Sequence, residues 1–272
     1  MRFKWLLIFV FFILGVYVCF DLSYLIHGVR CTYLRGETSA QIDDFSFFYT
    51  RPVVSKKPVI IPKSINYSNK INNRSLGGVL EKSKSTAFIV VQNDSVVLES
   101  YWGVGGPDVL SNSFSMAKSI MSLLVGAAIE DGFIESVEQN VIDFIPEIKN
   151  FNDEKPVKIK HLLSMSSGFD WLENYKRPIS VTAKAYYGND IKSLMFERNF
   201  ISEPGEAFKY QSGDTQLLGV LLERAVNESV SNYASRKLWS KIGATKNALW
   251  SLDSKDGVEK TFCCFNSTAR DF

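Results

Sequence analysis

The stretch that decides the fold is Ser113-Phe114-Ser115-Met116-Ala117-Lys118-Ser119-Ile120-Met121-Ser122-Leu123-Leu124-Val125-Gly126-Ala127-Ala128, followed closely by Gly132. Ile120, Met121, Leu123, Leu124, Ala127 and Ala128 recur at helical spacing. Ser113 or Ser115 suits the N-cap and Gly132 suits the residue just past the C-terminus, so the pattern predicts a helix starting near Ser115. Within it Ser115 and Lys118 are three residues apart and share a face, which can set an ammonium beside a hydroxyl. Serine is a weak nucleophile until a base takes its proton, and a lysine whose pKa is lowered by burial can be that base. A helix N-terminus would also stabilise an oxyanion forming at an acylated serine. This is the only S-x-x-K in the chain. The plainer alternative is a capping serine and a solvated lysine.

Outward from this helix, residues 86–91 and 96–102 are β-rich runs joined by Gln92-Asn93-Asp94-Ser95 and read as a hairpin. Helical or mixed segments follow, at 158–165, 191–196 and 216–226, the last with an amphipathic face of Leu217, Leu218, Leu221, Leu222 and Ala225. Strand signal returns weakly at 248–252 and 260–265. A hairpin followed by a long helical region predicts an α+β fold.

Composition narrows the chemistry. The 272 residues are 46% hydrophobic and 13% aromatic, enough for one large domain or two small ones. With 31 Lys and Arg against 29 Asp and Glu and no basic block, no nucleic-acid partner is indicated. There is no G-x-x-x-x-G-K-S/T or G-x-G-x-x-G element. Two histidines and four cysteines leave little room for a zinc site, so no metal or cofactor is expected. A histidine-based nucleophile would need His27 or His161.

Arg2 and Lys4 precede an apolar run at 5–20, extended by Leu22, Tyr24, Leu25 and Ile26 beyond Asp21. This fits an N-terminal membrane anchor or signal segment over residues 1–30 and an exported, periplasmic or extracellular location. The anchor is preferred, because no A-x-A-like site follows and Val16-Tyr17-Val18 before Cys19 is too bulky for lipoprotein processing. His27 lies at the edge of this segment and is a poor candidate for chemistry. Cys19 lies within it and Cys263-Cys264 are adjacent, so no multi-disulfide framework is readable. Residues 31–85, rich in Pro, Lys, Asn and Ser in their second half, read as an extended N-terminal segment, and 86–272 as the functional domain. Five N-x-S/T sequons, starting at Asn66, Asn73, Asn93, Asn227 and Asn266, carry no weight.

A second element is Pro204-Gly205-Glu206-Ala207-Phe208-Lys209-Tyr210-Gln211-Ser212-Gly213-Asp214. Its turn and polar loop ahead of the 216–226 helix would present Tyr210 at an edge, where a hydroxyl near a Lys and a Ser can relay a proton. Together with Ser115-Met116-Ala117-Lys118 and with Ile159-Lys160-His161-Leu162-Leu163-Ser164-Met165-Ser166-Ser167-Gly168-Phe169-Asp170-Trp171, it resembles the serine β-lactamase and penicillin-binding-protein superfamily. The likeness is to the class C-like branch that includes esterases and 6-aminohexanoate-dimer hydrolases, and it runs from about residue 86 to 272, including the familiar stretch from Cys263 to Asp271. The resemblance implies a β-lactamase/transpeptidase-like α+β fold: an antiparallel sheet with a large helical region. It implies that Ser115 is the acyl-accepting nucleophile, Lys118 its base and Tyr210 the second-motif tyrosine. Ser212 stands where many members have Asn, in a position for substrate contact. Tyr175, in Glu173-Asn174-Tyr175-Lys176-Arg177-Pro178, resembles the substrate-site tyrosine of the aminohexanoate-dimer hydrolases. His161 falls where the family carries a helix-supporting histidine, and Asp170 with Glu173 reads as loop more than as a carboxylate pair.

The family's third element, a Lys/His-Thr/Ser-Gly triplet on an inner strand, does not follow Tyr210. Lys260-Thr261 is followed by Phe262. The expectation is an incomplete member whose C-terminal strands are missing. The implied activity is hydrolysis of a small-molecule ester, amide or lactam through an acyl-enzyme. The competing expectation is a non-catalytic binding or cell-wall-associated module with a vestigial site.

Overall fold

A computed structural model describes residues 22–272 of the chain. The proposed anchor at 1–30 therefore lies mostly outside the described residues, among which no helix is long and apolar enough to cross a membrane. In chain order the helices are α1 Ser23–Cys31, α2 Arg74–Lys82, α3 Ala117–Glu130, α4 Ile159–Leu163, α5 Val181–Tyr187, α6 Ile191–Phe196, α7 Ser212–Val226 and α8 Val230–Ala234. The strands are β1 Thr50–Val53, β2 Lys63–Ser68, β3 Ala87–Gln92, β4 Ser95–Tyr101, β5 Ser111–Asn112, β6 Ala248–Ser251 and β7 Phe265–Ser267. The fold is α+β. One sheet has the order β1-β6-β7-β5 and is antiparallel throughout; a second has the order β2-β4-β3.

The hairpin β3–β4 turns on Asn93 and Asp94, both with positive φ (50° and 55°), as a two-residue turn matching strand twist requires. The expected antiparallel pairing holds there, but β2 runs parallel to β4. The reading of 31–85 as an extended segment is corrected. It supplies β1, which pairs with β6 from Thr50↔Ser251 to Val53↔Ala248, as well as β2 and α2. Leu22, Tyr24, Leu25 and Ile26, read as an extension of the targeting run, lie at and within α1, which packs on α5 and buries Tyr24. His27 holds α1 in place, with Nδ1 3.0 Å from Tyr187 O and Nε2 3.0 Å from Phe47 O.

The core lies between α3, α7 and the four-stranded sheet. On α3 the buried residues are Ala117, Ile120, Met121, Leu124, Val125 and Ala128, and Gly132 ends the helix with φ 77°. The helix α7 is buried almost from end to end, a central helix packed by α3, α4, α6 and α8. Such burial demands close approach. A Cβ at Gly219 would stand 2.3 Å from Thr261 Oγ1, so only glycine lets α7 meet the 260–262 turn. Aromatic rings seal the sheet side, with Trp250 and Trp239 edge-on to Phe265 at 5.1 and 4.8 Å between centroids.

Trp250 is fully buried and its Nε1 donates to Lys260 O and Cys263 O, both at 3.1 Å. Trp250→Ala is therefore expected to cost about 3–5 kcal/mol of unfolding free energy, through the cavity and the two orphaned carbonyls. Urea denaturation followed by circular dichroism checks this, and a loss under about 1 kcal/mol would contradict the packing described.

Candidate active site

Ser115 sits on a 3-10 turn, Phe114–Met116, that leads directly into α3. Phe114 takes φ 44°, a left-handed conformation that is strained for a residue with a Cβ. The buried side chain of Asn112 holds it there. Its Oδ1 accepts from Phe114 N (2.8 Å) and from Cys264 N (3.0 Å), and Cys264 is also left-handed, with φ 71°. One carboxamide thus fixes both the turn carrying Ser115 and the turn across from it. Neither Ser113 nor Ser115 caps the helix as expected. Ser113 Oγ donates to Phe114 O, and Ser115 Oγ faces the site.

Lys118 Nζ donates to Ser115 Oγ (3.2 Å), Ser212 Oγ (3.3 Å) and Phe262 O (2.8 Å). The Tyr210 hydroxyl donates to Ser115 Oγ at 2.7 Å. Burial lowers the Lys118 ammonium to about 8, against a smaller opposing pull from the Glu173 carboxylate. A lysine so placed has an accessible neutral form, which can accept the proton of an adjacent hydroxyl.

Ser212 is buried at the first turn of α7. Its Oγ donates to Glu173 Oε1 (2.8 Å) and its backbone N donates to Glu173 Oε2 (2.7 Å), which also accepts from Trp171 Nε1 at 2.7 Å. Tyr175, largely exposed, turns its hydroxyl to the same Glu173 and Ser212. Ser115, Lys118, Tyr210, Ser212 and Tyr175 are thus gathered around one point.

Glu173 belongs there too, although its loop context hid it. The nearby Trp171 and Tyr175, each able to donate to a carboxylate, were the available signal. Asp170 is not its partner, since it faces Arg198 at 3.8 Å. His161 stays apart from this group; its Nδ1 accepts from Lys158 N at 3.1 Å, supporting the start of α4. In Lys260-Thr261-Phe262, the turn gives Lys118 its carbonyl acceptor, while Lys260 is buried and donates to Ala185 O and Gly188 O at 2.9 and 3.0 Å. Among the described residues no cluster of His, Cys, Asp and Glu could hold a metal ion.

The arrangement has the form of a serine nucleophile served by a lysine and a tyrosine, and a family model described as Beta-lactamase matches residues 78–260. The chain belongs to the beta-lactamase family. Among the relatives of this beta-lactamase-family chain, the 6-aminohexanoate-dimer hydrolase of Paenarthrobacter ureafaciens is 26% identical over 184 residues, which is 64% of this chain and 46% of that protein. Protein flp of Staphylococcus aureus is 24% identical over 165 residues, covering 57% of this chain and 32% of its own. The chain thus spans about half or less of the length of the curated relatives it matches. Among solved structures, a Bacillus anthracis protein described as a candidate 6-aminohexanoate-dimer hydrolase superposes with TM-score 0.71 at 21% identity, covering 84% of this chain and 64% of that one. A penicillin binding protein from Bacillus halodurans superposes with TM-score 0.56 at 17% identity over 72% of this chain and 71% of its own. At such identities the superpositions establish the β-lactamase/transpeptidase-like fold.

Beneath the site, Asp214 is completely buried. Its Oδ1 accepts from Ser167 Oγ (2.6 Å) and Gln211 Nε2 (2.9 Å), while Oδ2 has no partner among the described residues. Burial pushes its carboxyl up to about 7. A folded-state pKa above the unfolded value means that the native state holds a proton the unfolded chain has released. Stability is then full below about 4 and falls as pH rises to about 7. Asp214→Asn, which keeps the shape without the charge, is expected to gain stability relative to wild type across that window, by up to the order of 4 kcal/mol above pH 7. Denaturant midpoints measured from pH 4 to 8 check it; a difference independent of pH would refute the buried-carboxyl account.

Proposed function

We propose that this chain carries the acyl-transfer centre of a serine hydrolase acting on a small-molecule ester, amide or lactam. The observation that carries the reading is the convergence of Lys118 Nζ and Tyr210 OH on Ser115 Oγ, at 3.2 and 2.7 Å. In this mechanism neutral Lys118 takes the Ser115 proton as Oγ bonds to the substrate carbonyl carbon. The Ser115 amide at the helix start stabilises the developing oxyanion. The carbonyl–heteroatom bond then breaks, and the leaving group takes the proton through Tyr210. Water attacks the acyl-Ser115 ester and releases the acid, restoring the serine. Ser212 and Glu173 hold Lys118 and Tyr175 in register. The match to a 6-aminohexanoate-dimer hydrolase supports an amide or a related ester as substrate.

A fluorophosphonate probe is expected to label wild type and not Ser115→Ala. Equal labelling of both would sink the assignment. Lys118→Ala should lower kcat/KM on a nitrophenyl ester on the order of 10²- to 10⁴-fold. Because the base must be neutral and burial places Lys118 at about 8, kcat/KM should climb with pH and level off above about 8. A profile flat from pH 6 to 9 would exclude Lys118 as the base. For location, Arg2 and Lys4 ahead of the apolar run at 5–20 support attachment to a membrane on its exported side; release of the full chain by alkaline carbonate would argue against it.

A further inference from the structure

A cavity of about 560 Å³ opens beside Ser115, within the range of about 300–1,000 Å³ typical of sites that enclose small ligands. The N-terminal helix α1 contributes Tyr24, Leu25 and Val29 to its lining, and α5, packed against α1, contributes Tyr186 and Tyr187. Phe114, Ser115, Ser212 and Phe262 close the end at the nucleophile.

Several polar groups of the lining are already paired within the protein, and the Lys176 and Arg177 side chains line it too. The Tyr186 hydroxyl accepts from Asn112 Nδ2 and donates to Asp44 Oδ2. Thr32 Oγ1 donates to Gly28 O, Thr182 Oγ1 accepts from Asn174 N, and Ser212 Oγ donates to Glu173. Behind α5, Lys260 satisfies Ala185 O and Gly188 O. Apart from Tyr175, Lys176 and Arg177, what remains toward the cavity is chiefly ring and aliphatic carbon, which favours the alkyl part of a ligand.

Tyr210 does not line the cavity, whereas Ser115 does. The group that takes a proton from Tyr210 therefore leaves on the other side, and the cavity receives the part of the substrate that stays on the serine. We propose that the cavity is an acyl-chain site and that the substrates are esters or amides of medium-chain, unbranched fatty acids, with α1 residues Leu25 and Val29 setting the chain-length preference. This rests on the acyl-enzyme reading above for its chemistry: Ser115 Oγ bonds to the fatty acyl carbon, the alcohol or amine departs with the proton, and water releases the fatty acid.

The test uses the full chain with nitrophenyl acetate, butyrate, octanoate and laurate. From acetate to octanoate kcat/KM is expected to rise about fourfold per methylene until the cavity is filled. Val29→Trp, at a half-exposed helix position where folding tolerates change, should cut the octanoate-to-acetate ratio of kcat/KM about tenfold or more. A second readout needs no turnover: a dansylated fatty acid should bind Ser115→Ala and bind less tightly once Val29→Trp is added. A flat chain-length profile with Ser115 still labelled by fluorophosphonate overturns this inference and leaves the serine assignment standing. Fatty-acid binding that responds to Val29→Trp without labelling of Ser115 overturns the acyl-enzyme reading and supports the chain site. Loss of both signals in correctly folded protein overturns both.

Discussion

The arrangement around Ser115 depends on one constraint, a lysine amine drawn out of water with oxygen acceptors and, among the described residues, no carboxylate in direct contact. Lys118 Nζ meets two hydroxyls and a carbonyl, while the Glu173 carboxylate is held at one remove by Ser212. A direct ion pair would have held the lysine charged and useless as a base. Interposing Ser212 keeps the attraction weak enough for burial to dominate. Placing such an amine requires three separate parts of the chain: α3 for the lysine, α7 for Ser212 and the 260–262 turn for the carbonyl.

The cost of bringing these parts together is visible as local strain and close approach. Phe114 and Cys264 both occupy left-handed backbone, and both donate to the single Oδ1 of Asn112. The turn after Thr261 reaches Lys118 only because Gly219 lets Thr261 lie against α7. Apolar burial offsets this, with Trp250, Phe265 and Trp239 packed edge to face behind the turn. The sheet therefore acts on the site through the turn it supports. The same logic accounts for Asp214, whose Oδ2 has no partner among the described residues and sits at the start of α7, where Ser167 and Gln211 hold the loop that carries Tyr210.

Much of this was legible because it is written in local patterns. The α3 period, Gly132 at its end, the Asn93-Asp94 turn and the amphipathic 216–226 face each answer to rules that span fewer than fifteen or so residues. What stayed hidden depends on partners far along the chain. Residues 23–31 adjoin an apolar run and share its composition, so only packing on α5 separates α1 from that run. The strand β1 is four residues with a proline, recognisable once β6 is beside it. Glu173 reads as loop until Trp171, Ser212 and Tyr175 are seen to converge on its carboxylate, and Lys260-Thr261-Phe262 reads as a failed motif until Phe262 O is found against Lys118.

The pairing of polar groups also decides what the site can discriminate. Glu173, Ser212, Thr182, Asn112 and the Tyr186 hydroxyl are engaged with one another or with backbone, so they fix shape and offer a ligand few free hydrogen bonds. Ser115 and Tyr210 are exposed at the centre, with Lys118 just behind and Lys176 and Arg177 in the lining of the adjoining cavity. If the centre acts as proposed, it would treat any acyl carbonyl alike at the point of attack. Selectivity must then come from the walls, where apolar area scales with the length of chain it covers and contributes a modest increment for each carbon. On the proposed reading, α1 and α5 line the cavity while α3 and α7 carry Ser115, Lys118 and Ser212, so substitutions in α1 would change which substrate is chosen without disturbing the lysine.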